Sequence, residues 1–278
     1  MVVSPRDAQG SGPTQAPRAP ALVGETPPEV IWHDLECGSY HADLPLWRKL
    51  AAGCSAPILD VGAGTGRVAL ELARAGHSVT ALDRDPVLLG ALRERAKDLD
   101  VEIVCADARS FELGRREFGL CVVPMQTIQL LGGAAERVAF LRRARAHLRH
   151  GALIACAILS ELEPFDCAKG DAAPSPETAR VDGLLHVSCA RRVSVLRRSV
   201  LIERERRILP AGDCEGDGAL AGPPPVEHPC ERHVVELSRV SVRELEREAI
   251  EAGLLPQPAR EVARTEDYVG SAVVMLRA

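Results

Sequence analysis

The sequence predicts an α/β protein: a doubly wound, mostly parallel sheet carrying a small antiparallel β insertion toward its C-terminal end. Three observations lead there. From residue 58 to 159, short apolar runs alternate with segments of helical period. A glycine-rich stretch lies at the first strand-to-helix junction. Beyond Leu159 the alternation stops, and apolar and polar residues begin to alternate singly.

Taken in order, residues 1–27 are rich in Pro, Gly and Ser; they bury too little apolar surface to offset their ordering entropy and read as a disordered arm. Residues 28–278 read as one domain. Its first part, 28–55, places Trp32, Leu35, Leu44, Leu46, Trp47 and Leu50 around Gly38 and Pro45, which predicts two short helices joined by a turn. Residues 58–61, 78–82, 101–105, 120–123 and 153–159 are apolar runs suited to parallel strands covered on both faces. Between them, 67–75, 87–97 and 135–148 carry apolar residues at helical spacing. In such a sheet ligands bind beyond the carboxyl ends of the strands.

The region 160–240 departs from this pattern. LLHVSCARRVSVLRRSVLIERERRIL, residues 184–209, alternates as solvent-facing antiparallel strands do. A Gly- and Pro-rich loop follows over 210–229, then another alternating strand over 232–240. Residues 242–252 form a helix stopped by Gly253. Two strands, 259–263 and 271–276, joined by RTEDYVG, close the chain as an antiparallel hairpin.

Composition narrows the function classes. The formal charge of −5 argues against a dominant phosphate-binding surface, and stacking aromatics are scarce, so nucleic acid is disfavoured as a partner. The nine cysteines form no CxxC pair, which predicts no metal framework. Cys105, Cys121 and Cys156 fall in apolar runs, where free thiols act as small hydrophobes and fit a reducing, cytoplasmic setting. No run of about 20 apolar residues is present to cross a membrane as a helix. Arg142, Arg143 and Arg145 on the 135–148 helix read as a solvated face.

The chemistry concentrates in ILDVGAGTGRVALELARAG. Asp60, Gly62, Ala63, Gly64 and Gly66 sit where the first strand turns into the first helix; glycines allow the sharp turn and close approach of a ligand, and the helix start offers free N–H groups. Gly64, Gly66 and Ala69 also satisfy the GxGxxG/A fingerprint of dinucleotide enzymes, with Asp83 near the distance of a ribose-binding carboxylate. The DxGxGxG spacing of Asp60, Gly62, Gly64 and Gly66, together with Asp107 in CADA after the third strand, more closely resembles the class I S-adenosylmethionine-dependent methyltransferases, a Rossmann-like fold, and within them the small-molecule branch. The terminal helix and hairpin resemble that family's reversed last strand.

That resemblance implies specific roles. The loop from Asp60 to Gly66 would lie under the methionine part of S-adenosyl-L-methionine, Asp83 would accept both ribose hydroxyls, and Arg84 would flank the adenine. Ala106 and Asp107 would read the adenine edge, and Pro124, Met125 and Gln126 would border the sulfonium and the substrate. The 28–55 segment would act as a lid, with Tyr40 and His41 in it and His41 one candidate base. The 160–240 insertion would cover a small-molecule acceptor methylated at nitrogen or oxygen. After the fourth strand stands Val123-Pro124-Met125-Gln126-Thr127, without the aromatic of amino-directed DNA methyltransferases or the Pro-Cys of cytosine C5 enzymes. Two alternatives share the loop. A NAD(P)-dependent oxidoreductase would keep Asp83, but a Tyr-x-x-x-Lys pair is absent; a non-catalytic S-adenosylmethionine-binding protein would keep every motif.

Overall fold

The structure is a computed structural model and describes residues 25–114, 117–159, 162–210, 230–265 and 268–278. The predicted disordered arm up to residue 24 and the Gly- and Pro-rich loop over 211–229, with Cys214, lie outside the described residues.

Helix α1 (Pro28–His33) opens on proline at its first turn, where no N–H is needed, and runs into a π-helical turn (Asp34–Gly38) before α2 (Leu44–Ala52). The central sheet holds β1 (Ile58–Val61), β2 (Val79–Asp83), β3 (Val101–Cys105), β4 (Phe118–Val123), β5 (Leu148–Leu159), β11 (Leu255–Val262) and β12 (Ser271–Arg277) in the order β11-β12-β5-β4-β1-β2-β3. β1 to β5 are parallel, and β12 runs antiparallel to β5 with Ser271 opposite Leu159 and Arg277 opposite Leu153. The predicted doubly wound sheet with a reversed last strand is therefore present. The strand order turns back between β1 and β4, which opens the crevice where ligands bind in such sheets.

Residues of β1 and β4 alternate between two cores because both faces of the sheet are covered. Leu59, Val61, Cys121 and Val123 pack with Phe140 and Leu141 of α6 (Ala134–His147) and Leu245 of α7 (Val242–Glu251). Ile58, Leu120 and Val122 pack with Trp47, with Leu72 of α3 (Arg67–Arg74) and with Leu89 and Leu92 of α4 (Pro86–Arg95). α7 starts on a capping box, Ser241 and Glu244 satisfying each other's backbone N–H.

Several details differ from the sequence expectation. β11 begins four residues early and holds Pro256 and Pro258, which an edge strand tolerates because its outer N–H groups need no partner. α5 (Thr127–Leu130) is a single turn, too short to carry periodicity. Cys105 is exposed because β3 is the edge strand; Cys121 and Cys156 are buried as expected. The arginines of α6 are not merely solvated: Arg142 pairs with Glu251, Arg143 with Glu112, and Arg145 donates to the Ala252 carbonyl. Arg137 forms a buried ion pair with Glu248, through Nε at 2.8 Å and Nη2 at 2.6 Å, so α6 and α7 are joined by charge as well as by packing.

The insertion consists of β6 (Phe165–Asp166), β7 (Glu177–Val181), β8 (Leu184–Val195), β9 (Ser199–Pro210) and β10 (Cys230–Ser238). Its strands pair antiparallel in the order β10-β9-β8-β6, with β7 also on β8. Alternation puts Ile202, Arg204 and Arg206 of β9 and His233, Val235 and Leu237 of β10 on one face. Buried Gln129 of α5 holds both ends of the insertion: its Oε1 accepts the Leu159 N–H at 2.7 Å and its Nε2 donates to the Ser238 carbonyl at 3.0 Å.

Candidate active site

The turn from β1 to α3 brings Gly62 (φ 75°), Gly64 (φ 53°) and Gly66 (φ 100°) into the left-handed region. At all three space is as decisive as φ. A Cβ at Gly62 would overlap the Thr127 side chain, one at Gly64 the His33 ring, and one at Gly66 the Leu92 side chain. Asp83, ending β2, fixes the loop from the other side: its Oδ2 accepts the Gly64 N–H at 2.8 Å and its Oδ1 accepts the Asp85 N–H at 2.9 Å.

Asp60 is 1% exposed beneath this loop, and neither carboxylate oxygen makes a hydrogen bond of good geometry. Burial pushes its carboxyl up to about 7; the Arg67 charge and the Ala69 N–H pull it back, while Asp83 and Asp43 add to the rise. Arg67 is itself committed to Asp43, with Nη1 at 2.6 Å and Nη2 at 2.8 Å, and Trp47 Nε1 donates to the same carboxylate at 2.8 Å. Asp107 follows β3 and is clasped by Arg109, whose backbone N–H reaches Oδ1 at 2.8 Å and whose Nε reaches it at 2.9 Å. That side-chain pairing holds the Asp107 carboxyl down at about 2.

The N-terminal segment is fastened on two sides. His33 Nδ1 lies 3.1 Å from Thr65 Oγ1, Thr65 donates to Asp34 Oδ1 at 2.6 Å, and Arg95 pairs with Asp34. On the other side, Glu36 of the π-helical turn accepts Arg206 Nε at 2.8 Å, Arg206 Nη2 at 2.7 Å and Ser188 Oγ at 2.7 Å, with Arg204 Nε 3.4 Å away. Burial raises the Glu36 carboxyl, but these partners outweigh it and hold it below the usual range. Arg206 also lies 5.3 Å from the centre of the Trp32 ring, a cation–π contact.

Between the N-terminal segment, the strand ends and the insertion lies a cavity of about 600 Å³, a size that suits a small ligand. Of the residues singled out in the sequence, it brings together Asp60, Gly62, Ala63, Asp83, Arg84, Ala106, Asp107 and Pro124. Gly64 is instead covered by His33, and Gly66 packs against Leu92 and Leu70. Met125 lines the cavity with φ 50°, a strained conformation for a side chain of its size. Tyr40 is buried, whereas His41 is exposed and does not line the cavity. Sequence reasoning missed His33, Glu36, Arg204, Arg206 and His233. Their contacts join segments far apart in the chain; the alternation of β9 and β10 was the only available signal.

This geometry defines a class I S-adenosylmethionine-dependent methyltransferase fold. Residues 58–151 match the family described as a methyltransferase domain, and S-adenosylmethionine is the cofactor of that domain. The cypemycin N-terminal methyltransferase of a Streptomyces species is 34% identical over 117 residues, a stretch covering 41% of this chain and 46% of that protein. The chain thus spans about half the length of this curated relative. Among solved structures, the sugar N-methyltransferase KedS8 from a Streptoalloteichus species superposes with a TM-score of 0.67 at 17% identity, covering 98% of this chain and 100% of that one. CalS10, an amino pentose methyltransferase from Micromonospora echinaspora solved with S-adenosylmethionine bound, gives a TM-score of 0.65 at 20% identity over 89% of this chain and 97% of that one.

The cavity wall fits such a cofactor. Gly62 leaves open a turn that a side chain would fill, Asp60 offers a buried carboxyl whose oxygens make no hydrogen bond of good geometry, and Asp83 keeps a lone pair on each oxygen beyond the one given to the backbone.

Proposed function

We propose that this chain transfers a methyl group from S-adenosylmethionine to a nitrogen or oxygen atom of a small-molecule acceptor. The observation that carries this reading is one continuous cavity, which runs from Asp60, Asp83 and Asp107 at the strand ends to Arg204, His233 and Leu237 in the roof. One end has the groups a cofactor needs, and the other is walled by a separate sheet. Such a division suits a common cofactor site with an acceptor site built from an insertion.

When bound, the cofactor supplies a methyl group already activated by its sulfonium. In this reading Asp83 accepts the ribose hydroxyls, Asp107 accepts the adenine amino group, and Arg84 and Ala106 border the base. Asp60, Gly62 and Ala63 lie beneath the methionine part, and Pro124 and Met125 flank the reacting centre. Gly64 and Gly66 contribute through the shape of the turn. The roof excludes water and holds the acceptor in line, which is the main task left to the protein. Nitrogen is the favoured acceptor atom because the cypemycin and KedS8 enzymes are named for N-terminal and N-methylation.

Calorimetric titration of the full chain with S-adenosylmethionine, S-adenosylhomocysteine, NADH and NADPH tests the assignment. Binding of the first two at about micromolar strength, roughly −8 kcal/mol, with no nicotinamide response is the expected result. The reverse pattern would make the protein an oxidoreductase.

A further inference from the structure

We propose that His233 is the catalytic base that removes a proton from an amine acceptor in the roof of the cavity, an inference that rests on the methyl-transfer reading above. Two histidines line the cavity among the described residues, and they differ in what they are free to do. His33 lies on Gly64 with Nδ1 bonded to Thr65, so it serves the lid. His233 stands on β10 opposite Arg204 of β9, on the sheet face that lines the cavity, and among the described residues nothing hydrogen-bonds to its ring.

The surroundings suit a neutral imidazole. Burial lowers its proton affinity, and Arg206 and Arg204 of β9 lower it further; Glu36 of the π-helical turn and Glu231 of its own strand act in the opposite direction without reversing the outcome. The ring is therefore unprotonated at neutral pH and can accept a proton. An amine in water at that pH is mostly ammonium and has no lone pair to give. Burial in the roof disfavours a cation there, so an ammonium entering it is the easier to deprotonate. Glu36 is already committed to Arg206 and Ser188 and is a poor competitor for this role.

In the step itself an N–H bond of the acceptor breaks. Its electron pair stays on nitrogen as the lone pair that will attack, and the proton moves to a ring nitrogen of His233. The resulting imidazolium returns the proton to solvent after product leaves. Ile202, Val235 and Leu237 on the same face give the acceptor's carbon skeleton an apolar bed, which points to a small amine with an apolar flank.

The test uses full-length wild type, His233→Gln and His233→Ala. Each is supplied with labelled S-adenosylmethionine and three primary amines: a methyl glucosaminide, a dipeptide with a free N-terminal alanine, and phenethylamine. In wild type, methyl transfer should show an acidic limb at or below the ordinary histidine range. His233→Gln should lower kcat by about a hundredfold or more and abolish that limb, with S-adenosylhomocysteine affinity within about twofold, and added imidazole should partly rescue His233→Ala. Independently of turnover, the His233 ring signal in NMR spectra of the S-adenosylhomocysteine complex, identified by its loss in His233→Gln, should move when an amine is added. A variant within about threefold of wild type that keeps the limb overturns the proposal, as does a panel in which no amine gives turnover or moves that signal. Wild type that fails to bind S-adenosylhomocysteine overturns the methyl-transfer reading and this one with it; binding with an unaffected variant overturns this one alone.

Discussion

Asp83 and Gly64 are joined directly: the Asp83 carboxylate accepts the Gly64 N–H at 2.8 Å, tying the end of β2 to the turn that follows β1. A side chain expected to serve a ligand therefore also shapes the loop beneath that ligand.

Asp83→Ala is accordingly expected to weaken S-adenosylmethionine binding by about 2 to 4 kcal/mol, as for hydrogen bonds to a charged group, and to cost roughly 1 to 2 kcal/mol of stability as well. Asp83→Asn should not rescue either effect, because an amide N–H₂ would face one of the two backbone donors that the oxygens now satisfy. Calorimetry and urea denaturation separate the two losses. Unchanged affinity in the alanine variant would remove Asp83 from the cofactor site.

Gly64 lies under the His33 ring at positive φ, so Gly64→Ala combines backbone strain with displacement of α1. Strain alone costs about 1 kcal/mol. Pairing it with His33→Ala should return part of the loss, giving a double variant less damaged than the sum of the two single changes. Strict additivity by denaturation would show that the ring and the glycine act independently.

Glu36 stands between two guanidinium groups with little solvent to replace it. Glu36→Gln should destabilise the docking of the N-terminal segment on the insertion by about 3 to 5 kcal/mol, since it strands buried charge on Arg206, whereas Arg204 keeps its pairing with Glu177. Limited proteolysis near residues 34–43 should become faster, while the parallel sheet keeps its far-ultraviolet signature. Proteolysis at the wild-type rate would contradict the latch.

Asp60 gives a prediction with a definite sign. Its carboxyl is raised from 3.8 to about 7 on folding, so the native state binds the proton more tightly than the unfolded chain. The resulting penalty is absent below the unfolded value, grows as pH rises, and is complete above the folded one. It amounts to about 4 kcal/mol from the size of the shift. Asp60→Asn should therefore be the more stable protein near about pH 8, with its advantage fading toward about pH 4. A constant difference across that range, measured by urea denaturation, would mean that Asp60 does not titrate as described.

The parallel half of the fold was legible because its signals are local. Runs such as 58–61 and 101–105, and the glycines between β1 and α3, carry their meaning within a few residues. So did the placement of the carboxylates: Asp60 lies in β1, Asp83 ends β2 and Asp107 follows β3. The remainder depended on distance. Nothing in Glu36 announces that Arg206, 170 positions later, will bind it, and nothing in His33 shows that its ring will cover Gly64. Single alternation over 184–209 suggested a sheet, but which face of it would turn inward is set by docking. β11 was truncated in the reading because its prolines look like punctuation until the strand is known to lie at an edge.

Gln129 has a consequence for how this protein can diversify. One amide grips the chain where it departs at Leu159 and again where it returns at Ser238, so both ends of the excursion meet at one side chain. Substitutions, lengthening or wholesale replacement within that excursion need not disturb the strands below, provided both ends still meet the same amide. The junction is thus a natural splice boundary, at which an excursion shaped for another substrate can be grafted onto an unchanged platform.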